Sequence, residues 1–260
     1  MQFDRKVKLV LTDKVKSMSW TDLHVDFVIE KTADATPNGA KFVIFNMNEN
    51  SRGFVNKPMD VTFLAGYGSA ETAVFVGQVI KDGIKHEYNG VDWVTVLDCR
   101  DANSGLNQVK VNKSFEGKVS LKKSVDYLIE EMGLGKGVLN IPDKQYNNGL
   151  ALSGFARDRI REIAKKENLE FNVQDGNAFI LAKDEKVDRV VVVNAQTGLV
   201  GSPIVEDGGV SFECLLNPNI KIGGKVRVES RVVTGEYKVE KLRHAGDNHK
   251  GNYYTRVEVR

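Results

Sequence analysis

The sequence has few cysteines and no long apolar run. Only two of its 260 residues are cysteine, Cys99 and Cys214, and they lie far apart in strand-like segments. Two isolated cysteines exclude a disulfide framework and a cysteine-based metal site, so buried free thiols are expected. The longest purely aliphatic run, residues 190–193, is far shorter than the roughly 20 residues that a membrane helix needs. The sequence therefore predicts neither a disulfide-stapled scaffold nor a membrane anchor.

Net charge and targeting signals are also nearly absent. The chain carries 37 basic and 35 acidic residues, a formal charge of +2. Proteins that bind nucleic acid by neutralising phosphates usually carry a concentrated basic surplus. No apolar block precedes the first acidic residue, Asp4, so no secretory signal is expected. With 41% hydrophobic residues the chain can bury a sizeable core, which excludes intrinsic disorder.

Charge is distributed unevenly near the C-terminus. Residues 191–218 contain no lysine or arginine, whereas residues 219–260 hold ten basic and five acidic residues. One interpretation is alternating solvated strand faces. The other is a pair of complementary patches at a subunit interface, because charge patterning steers association.

Hydrophobic periodicity divides the chain into three zones. Residues 1–117 alternate as strands do, for example through Val25, Phe27 and Ile29, with turn signals such as Asn89-Gly90 between the runs. Residues 118–187 contain the convincing helices, one capped by Ser120 and ended by Gly133, a second over 153–168, and then a β-hairpin over 169–182. Residues 188–260 return to strands. We predict a mainly β (α+β) fold in which two small β-barrel-like tube domains, 1–117 and 188–260, flank a small α/β connector module, 118–187.

A search for catalytic motifs finds none that is specific. The glycine-rich segment 133–137 follows a helix and lacks the P-loop spacing, so a helix-end turn is expected. The acidic pairs at 130–131, 184–185 and 206–207 point apart on a helix or strand and indicate solvated surface. Alternation places Tyr253 and Tyr254 on opposite faces, which argues against a stacking platform for single-stranded nucleic acid. We therefore predict no catalytic residue and no cofactor.

One cluster resembles a metal site. His244, Asp247 and His249 carry ligand groups that zinc accepts, although catalytic zinc needs three well-placed ligands and an open position. Residues 246–248 are equally the glycine and Asx residues of a hairpin turn, which is the interpretation we favour. The sequence therefore assigns no metal site.

Several segments resemble the baseplate hub proteins of tailed bacteriophages. The resemblance is most specific at 196–249, where the chain reads QTGLVGSP (196–203), GVSFECLLNP (209–218), GKVRVES (224–230), GEYKV (235–239) and HAGD (244–247). The N-terminal segments VTFLAGY (61–67), VFVG (74–77) and DWVT (92–95) resemble the first tube-like barrel of the same family. The two helices and the hairpin resemble its small middle module.

This resemblance implies a structural role and no catalytic activity. Hubs of this family are homotrimers in which two similar barrels per subunit form a pseudo-sixfold ring. The expected partners are a tail tube or tube-initiator protein, a trimeric central spike and other baseplate proteins, with DNA only as transient cargo in the lumen. The expected location is the tail baseplate of the virion, assembled in the host cytoplasm.

The expected partner contact is a short apolar segment. Leu199, Val200 and Pro203 lie in a predicted loop that has no charge before Glu206. Such a loop suits a partner interface, or else it folds over a barrel end. The alternative functions are a carbohydrate- or peptidoglycan-binding β module and a cell-wall hydrolase.

Overall fold

The computed structural model describes residues 4–13, 15–33, 38–68, 72–101, 109–174, 176–182, 190–206 and 208–260. The helices are α1 (Glu49–Phe54), α2 (Leu121–Glu131) and α3 (Ala156–Lys166). The strands are β1 (Arg5–Thr12), β2 (Ser17–Trp20), β3 (Val25–Thr32), β4 (Gly39–Phe45), β5 (Asp60–Tyr67), β6 (Thr72–Tyr88), β7 (Trp93–Asp101), β8 (Lys110–Phe115), β9 (Val119–Ser120), β10 (Gly135–Leu139), β11 (Gln145–Tyr146), β12 (Leu150–Phe155), β13 (Leu169–Gln174), β14 (Asn177–Ala182), β15 (Val190–Asn194), β16 (Leu199–Glu206), β17 (Gly209–Leu215), β18 (Lys225–Glu229), β19 (Thr234–Asp247) and β20 (Tyr253–Val259).

Two compact units make up the chain. The first comprises residues 1–101 and 186–260, and the second comprises residues 102–185. The predicted domain boundaries at 117/118 and 187/188 stay a prediction. The two terminal β regions are joined by strand pairing, and this pairing does not show whether each region folds alone.

The first unit is built on a 13-stranded sheet. Its main path runs β16-β17-β20-β19-β3-β4-β7-β6-β5-β1-β2, and β15 and β18 branch from β19. Strands β19 and β3, which come from opposite ends of the sequence, pair antiparallel from Lys241↔Thr32 to Asp247↔Asp26. This pairing makes the N-terminal and C-terminal β regions one continuous sheet.

Period-two alternation determines which side chains of the sheet enter the core. In β3, Val25, Phe27 and Ile29 are buried, as predicted, whereas Asp26 and Glu30 on the opposite face are exposed. Aromatic rings fill the centre of the core: Phe27 and Phe63 lie 4.8 Å apart, and Phe42 and Phe63 lie 4.7 Å apart, measured between ring centroids. Such tilted pairs contribute beyond their buried area.

The second unit packs its two longer helices over short strands. Ser120 accepts a hydrogen bond from the Lys123 N–H at the start of α2, and Gly133 adopts a φ of +65° after its end. Both features match the predicted cap and stop. Strands β13 and β14 form the predicted hairpin, and β10 joins β14 in parallel.

The mainly β, α+β class is confirmed, whereas three details differ from the sequence prediction. Among the described residues the strand pairings leave the large sheet open at β16 and β2, so they form no closed barrel. Helix α1 was not predicted, because six residues are too few for a helical period; Asn48 caps it by accepting a hydrogen bond from the Ser51 N–H. The second predicted helix begins at Ala156 instead of Ser153, because β12 continues to Phe155.

Candidate assembly surfaces

Strand β16 forms one end of the large sheet. Within the described part of the chain it pairs only with β17, so one row of its backbone N–H and C=O groups faces no strand of its own chain. Its register shifts between Val200 and Ile204. An unpaired edge of this kind is a template for pairing with another chain.

Apolar side chains are exposed along this edge. Val200 is 44% exposed, Ile204 59% and Val205 57%. Several large apolar side chains exposed along one unpaired sheet edge mark an interaction surface more strongly than isolated ones do. We call Val200, Ile204 and Val205 the β16 edge patch.

The predicted interface residues fall in this strand and not in a loop. Val200 is exposed, Leu199 is half-buried against the core of the C-terminal β region, and Pro203 is buried. The loop assignment is therefore wrong. Proline has no N–H to donate to a neighbouring strand, so Pro203 suggests an interruption of the strand. An edge strand nevertheless tolerates proline. Sequence reasoning also missed Ile204 and Val205, although the β-branched pair directly after Pro203 was a signal for them.

A second exposed apolar cluster lies at the tip of the β6–β7 hairpin. Tyr88 and Trp93 are 58% and 41% exposed, with ring centroids 5.7 Å apart, and Val91 between them is 82% exposed. The Asn89 carboxamide oxygen accepts hydrogen bonds from the N–H groups of Val91 and Asp92 and fixes the turn. The tip thus presents two aromatic rings and an exposed valine on a hydrogen-bonded turn.

The metal-like residues are not brought together. His244 is buried, and its Nδ1 lies 2.9 Å from the hydroxyl of Thr255. Asp247 uses Oδ1 to accept the N–H groups of His249 and Lys250, which is the predicted turn. No group of three His, Cys, Asp or Glu side chains in the described ranges could hold a metal ion.

Two histidines and Asp247 instead fasten this turn to the N-terminal β region. His24 Nε2 lies 2.7 Å from Asp247 Oδ2, and the His24 ring stacks on His249 with 4.5 Å between centroids. Arg5 donates to the carbonyl oxygens of Asp247, Lys250 and Gly251 at 2.7–3.0 Å. These contacts have a structural role.

The cysteines, tyrosines and acidic pairs considered in the sequence analysis have surroundings typical of structural residues where the structure describes them. Both cysteines are free and buried, and burial raises the pKa of each thiol, that of Cys214 to about 12. Tyr253 is buried and Tyr254 is half-buried on the opposite face. Glu130 forms an exposed ion pair with Lys136. The pairs 184–185 and 206–207 lie wholly or partly outside the described residues. No helix among the described residues is long and apolar enough to cross a membrane.

Solved structures similar to this chain include two tail proteins and a component of a secretion system. The 43 kDa tail protein of prophage MuSo2 from Shewanella oneidensis matches with a TM-score of 0.68 at 11% identity, over 98% of each chain. The tail protein from Neisseria meningitidis MC58 matches with a TM-score of 0.67 at 8% identity, over 99% of this chain and 96% of that one. An Escherichia coli component of the type VI secretion system, described as similar to T4 bacteriophage tail proteins gp27 and gp5, matches with a TM-score of 0.63 at 10% identity, over 92% and 73%.

The fold is therefore that of phage tail proteins. A family model described as "Baseplate hub gp41" matches residues 40–259. The chain belongs to this baseplate hub family, and its role is that of a structural component of a phage tail. No curated protein sequence matches the chain significantly.

Proposed function

We propose that three copies of the chain form a ring that adapts the sixfold symmetry of a tail tube to the threefold symmetry of a central spike. The tail tube or tube-initiator protein binds one face of this ring, the trimeric spike binds the other, and further baseplate proteins surround it. DNA passes through the lumen only as transient cargo. The chain carries out no catalysis, and it enters the virion after assembly in the host cytoplasm.

The observation that carries this proposal is the presence of two β regions in one chain, each with a long strand whose two halves pair with different strands of the same region. Strand β6 pairs with β5 through residues 72–78 and with β7 through residues 77–88. Strand β19 pairs with β18 through residues 234–238 and with β20 through residues 239–246. Two such regions per chain supply six related units from three copies, as a sixfold partner requires.

The β16 edge patch is our proposed contact between neighbouring copies. Its unpaired backbone edge suits β-augmentation, in which main-chain hydrogen bonds supply affinity and alternate side chains supply specificity. A neighbouring copy would bury Val200, Ile204 and Val205. Within the chain itself, Leu199 is already half-buried and Pro203 is buried, so these two residues hold the strand in place. Within the strand only Glu206 is charged, and a low charge content is typical of interface cores.

Light scattering across a concentration series tests the ring. We expect three times the chain mass for the wild type, and the mass of a single chain for a double variant carrying Ile204→Asp and Val205→Asp. The matched control is Val232→Asp, because Val232 is 56% exposed but lies outside β16. It should leave the trimer intact.

Two results would contradict the proposal. A wild-type chain that stays monomeric even when mixed with its tube and spike partners would refute the ring. A double variant that is folded and still trimeric would refute the placement of the contact at β16.

A second candidate function is peptidoglycan binding, which the exposed Tyr88 and Trp93 favour because sugar rings stack on aromatic faces. A titration of the monomer with soluble peptidoglycan fragments, followed by tryptophan fluorescence, tests this candidate. Trp93→Ala should abolish the response, whereas Trp20→Phe should keep it, since Trp20 is half-buried in the core.

A further inference from the structure

One face of the large sheet carries cations and carboxylates in matched positions. This face consists of the outward side chains of β17, β20, β19, β3, β4 and β7, and we call it the paired face. Cross-strand register aligns Glu213 with Arg256, Arg256 with Arg243, and Arg243 with Glu30. Four strands thus present the order acid, base, base, acid.

Distances show that each cation in this row has its own carboxylate. Arg256 Nη2 lies 3.3 Å from Glu213 Oε2, and Arg243 Nε lies 3.7 Å from Glu30 Oε1. The two arginines face each other directly across β19 and β20, an arrangement that destabilises a sheet unless other charges compensate it. The two glutamates on the outer strands supply that compensation.

The same pairing continues along the face. Lys241 Nζ lies 2.9 Å from Glu258 Oε2, and Lys41 stands directly opposite Asp98 in the register of β4 and β7. A groove with a volume of about 590 Å³ lies beside the row, and its lining includes Glu30, Lys41, Asp98 and Arg100. The groove thus contains two charges of each sign.

Fold stability alone does not account for this arrangement. Lys241 and Glu258 are each 56% exposed, and Arg256 is 60% exposed. Exposed ion pairs contribute little to stability. They do change what the surface attracts, because a carboxylate beside a guanidinium offsets its positive charge and repels an approaching phosphate.

We infer that the paired face lines the DNA channel of the proposed ring, and that Glu30, Glu213 and Glu258 mask the neighbouring cations so that duplex DNA passes without being retained. This inference rests on the proposed function. A duplex carries one negative charge per about 1.7 Å, so a row of unmasked arginines would hold it by releasing counterions. A channel for moving DNA requires the opposite behaviour.

DNA binding by a triple variant, Glu30→Gln, Glu213→Gln and Glu258→Gln, tests the masking. The probe is a fluorescently labelled DNA duplex, followed by anisotropy over a salt series. Exposing Arg243, Arg256 and Lys241 should add about three phosphate contacts, which weakens binding about 40-fold between about 50 mM and about 200 mM salt. The wild type should show no binding that saturates over the same range.

The matched control removes three carboxylates elsewhere. Glu130, Glu131 and Glu162 are exposed on α2 and α3 of the second unit, and Glu130 and Glu162 also form ion pairs. Their triple replacement by Gln gives the same net charge as the test variant. We expect its affinity for the duplex to be at least tenfold weaker. If the two triple variants bind the duplex with equal affinity, or if the wild type binds it tightly, the three glutamates do not mask the neighbouring cations.

Cysteine labelling in the assembled ring tests where the face lies. Thr32→Cys places a thiol on the paired face, and Val232→Cys places one in an exposed turn. In the trimer, a small maleimide should modify both thiols, whereas a bulky polyethylene-glycol maleimide should modify Thr32→Cys at least tenfold more slowly than Val232→Cys. If the bulky reagent modifies both thiols of the trimer at the same rate, the paired face does not line the channel, although the proposed ring still stands. A chain that never trimerises with its partners overturns the proposed ring, and the placement with it.

Discussion

Lowering the pH should destabilise the first unit through His244. This histidine of β19 is fully buried beside β20, and burial, reinforced by the positive charges of Lys31 and Lys221, holds its pKa well below 6.5. Thr255 lies beside it: its hydroxyl accepts the Asn217 N–H and can donate to His244 Nδ1. The folded chain therefore keeps a neutral imidazole, whereas the unfolded chain takes up a proton at about pH 6.5.

The sign follows from proton linkage. Because the unfolded state binds the extra proton, the full stability from this group is present above pH 6.5 and is lost as the pH falls. Each pH unit below that point costs about 1.4 kcal/mol of unfolding free energy, or about 2 kcal/mol in total at pH 5, while the folded imidazole stays neutral. A loss of this size is a sizeable fraction of a typical stability of about 5–15 kcal/mol.

Urea unfolding at pH 7, 6 and 5 measures this loss. The comparison is His244→Asn, which cannot titrate in this range, so that carboxylates and the other three histidines contribute equally to both proteins. We expect the wild type to lose about 2 kcal/mol more than the variant between pH 7 and pH 5. An NMR titration of the wild-type imidazole gives an independent readout and should show protonation only well below pH 6.5.

Equal pH dependence of wild type and variant would refute this reasoning, as would a His244 signal that titrates near pH 6.5 in the folded protein. Either result would mean that the imidazole reaches water or a compensating carboxylate.

Two further substitutions test single contacts. Tyr253→Phe removes a buried hydroxyl that donates to the Lys6 carbonyl oxygen at 3.0 Å, so urea unfolding should show a loss of about 1 kcal/mol. Tyr254→Phe, on the outward face, is the control and should change little; equal losses would contradict the assignment. Ser120→Ala removes the α2 cap and should cost about 1 kcal/mol. Amide exchange in α2 measures this loss, and Ser120→Asp should restore protection; a variant as protected as the wild type would exclude the cap.

Local sequence patterns determined the parts of this protein that depend on neighbouring residues. Alternation assigned Val25, Phe27 and Ile29 to the core face of β3, because successive side chains of a strand point to opposite sides. Ser120 and Gly133 delimited α2, because a side-chain cap and a left-handed glycine satisfy helix ends locally. The family resemblance and the absence of a catalytic motif were also readable from the sequence.

The tertiary structure alone decided which strands become neighbours and which strand stays at the edge. The pairing of β3 with β19 joins opposite ends of the chain, and no local period encodes a partner at that distance, since register is set by the packing of whole faces. The same pairing brings Glu30 to Arg243 and so completes the paired face. The short apolar, uncharged segment around Pro203 predicts a loop, whereas the structure forms strand β16 there. Only the sheet order shows that this strand is an edge, where a missing N–H carries no cost.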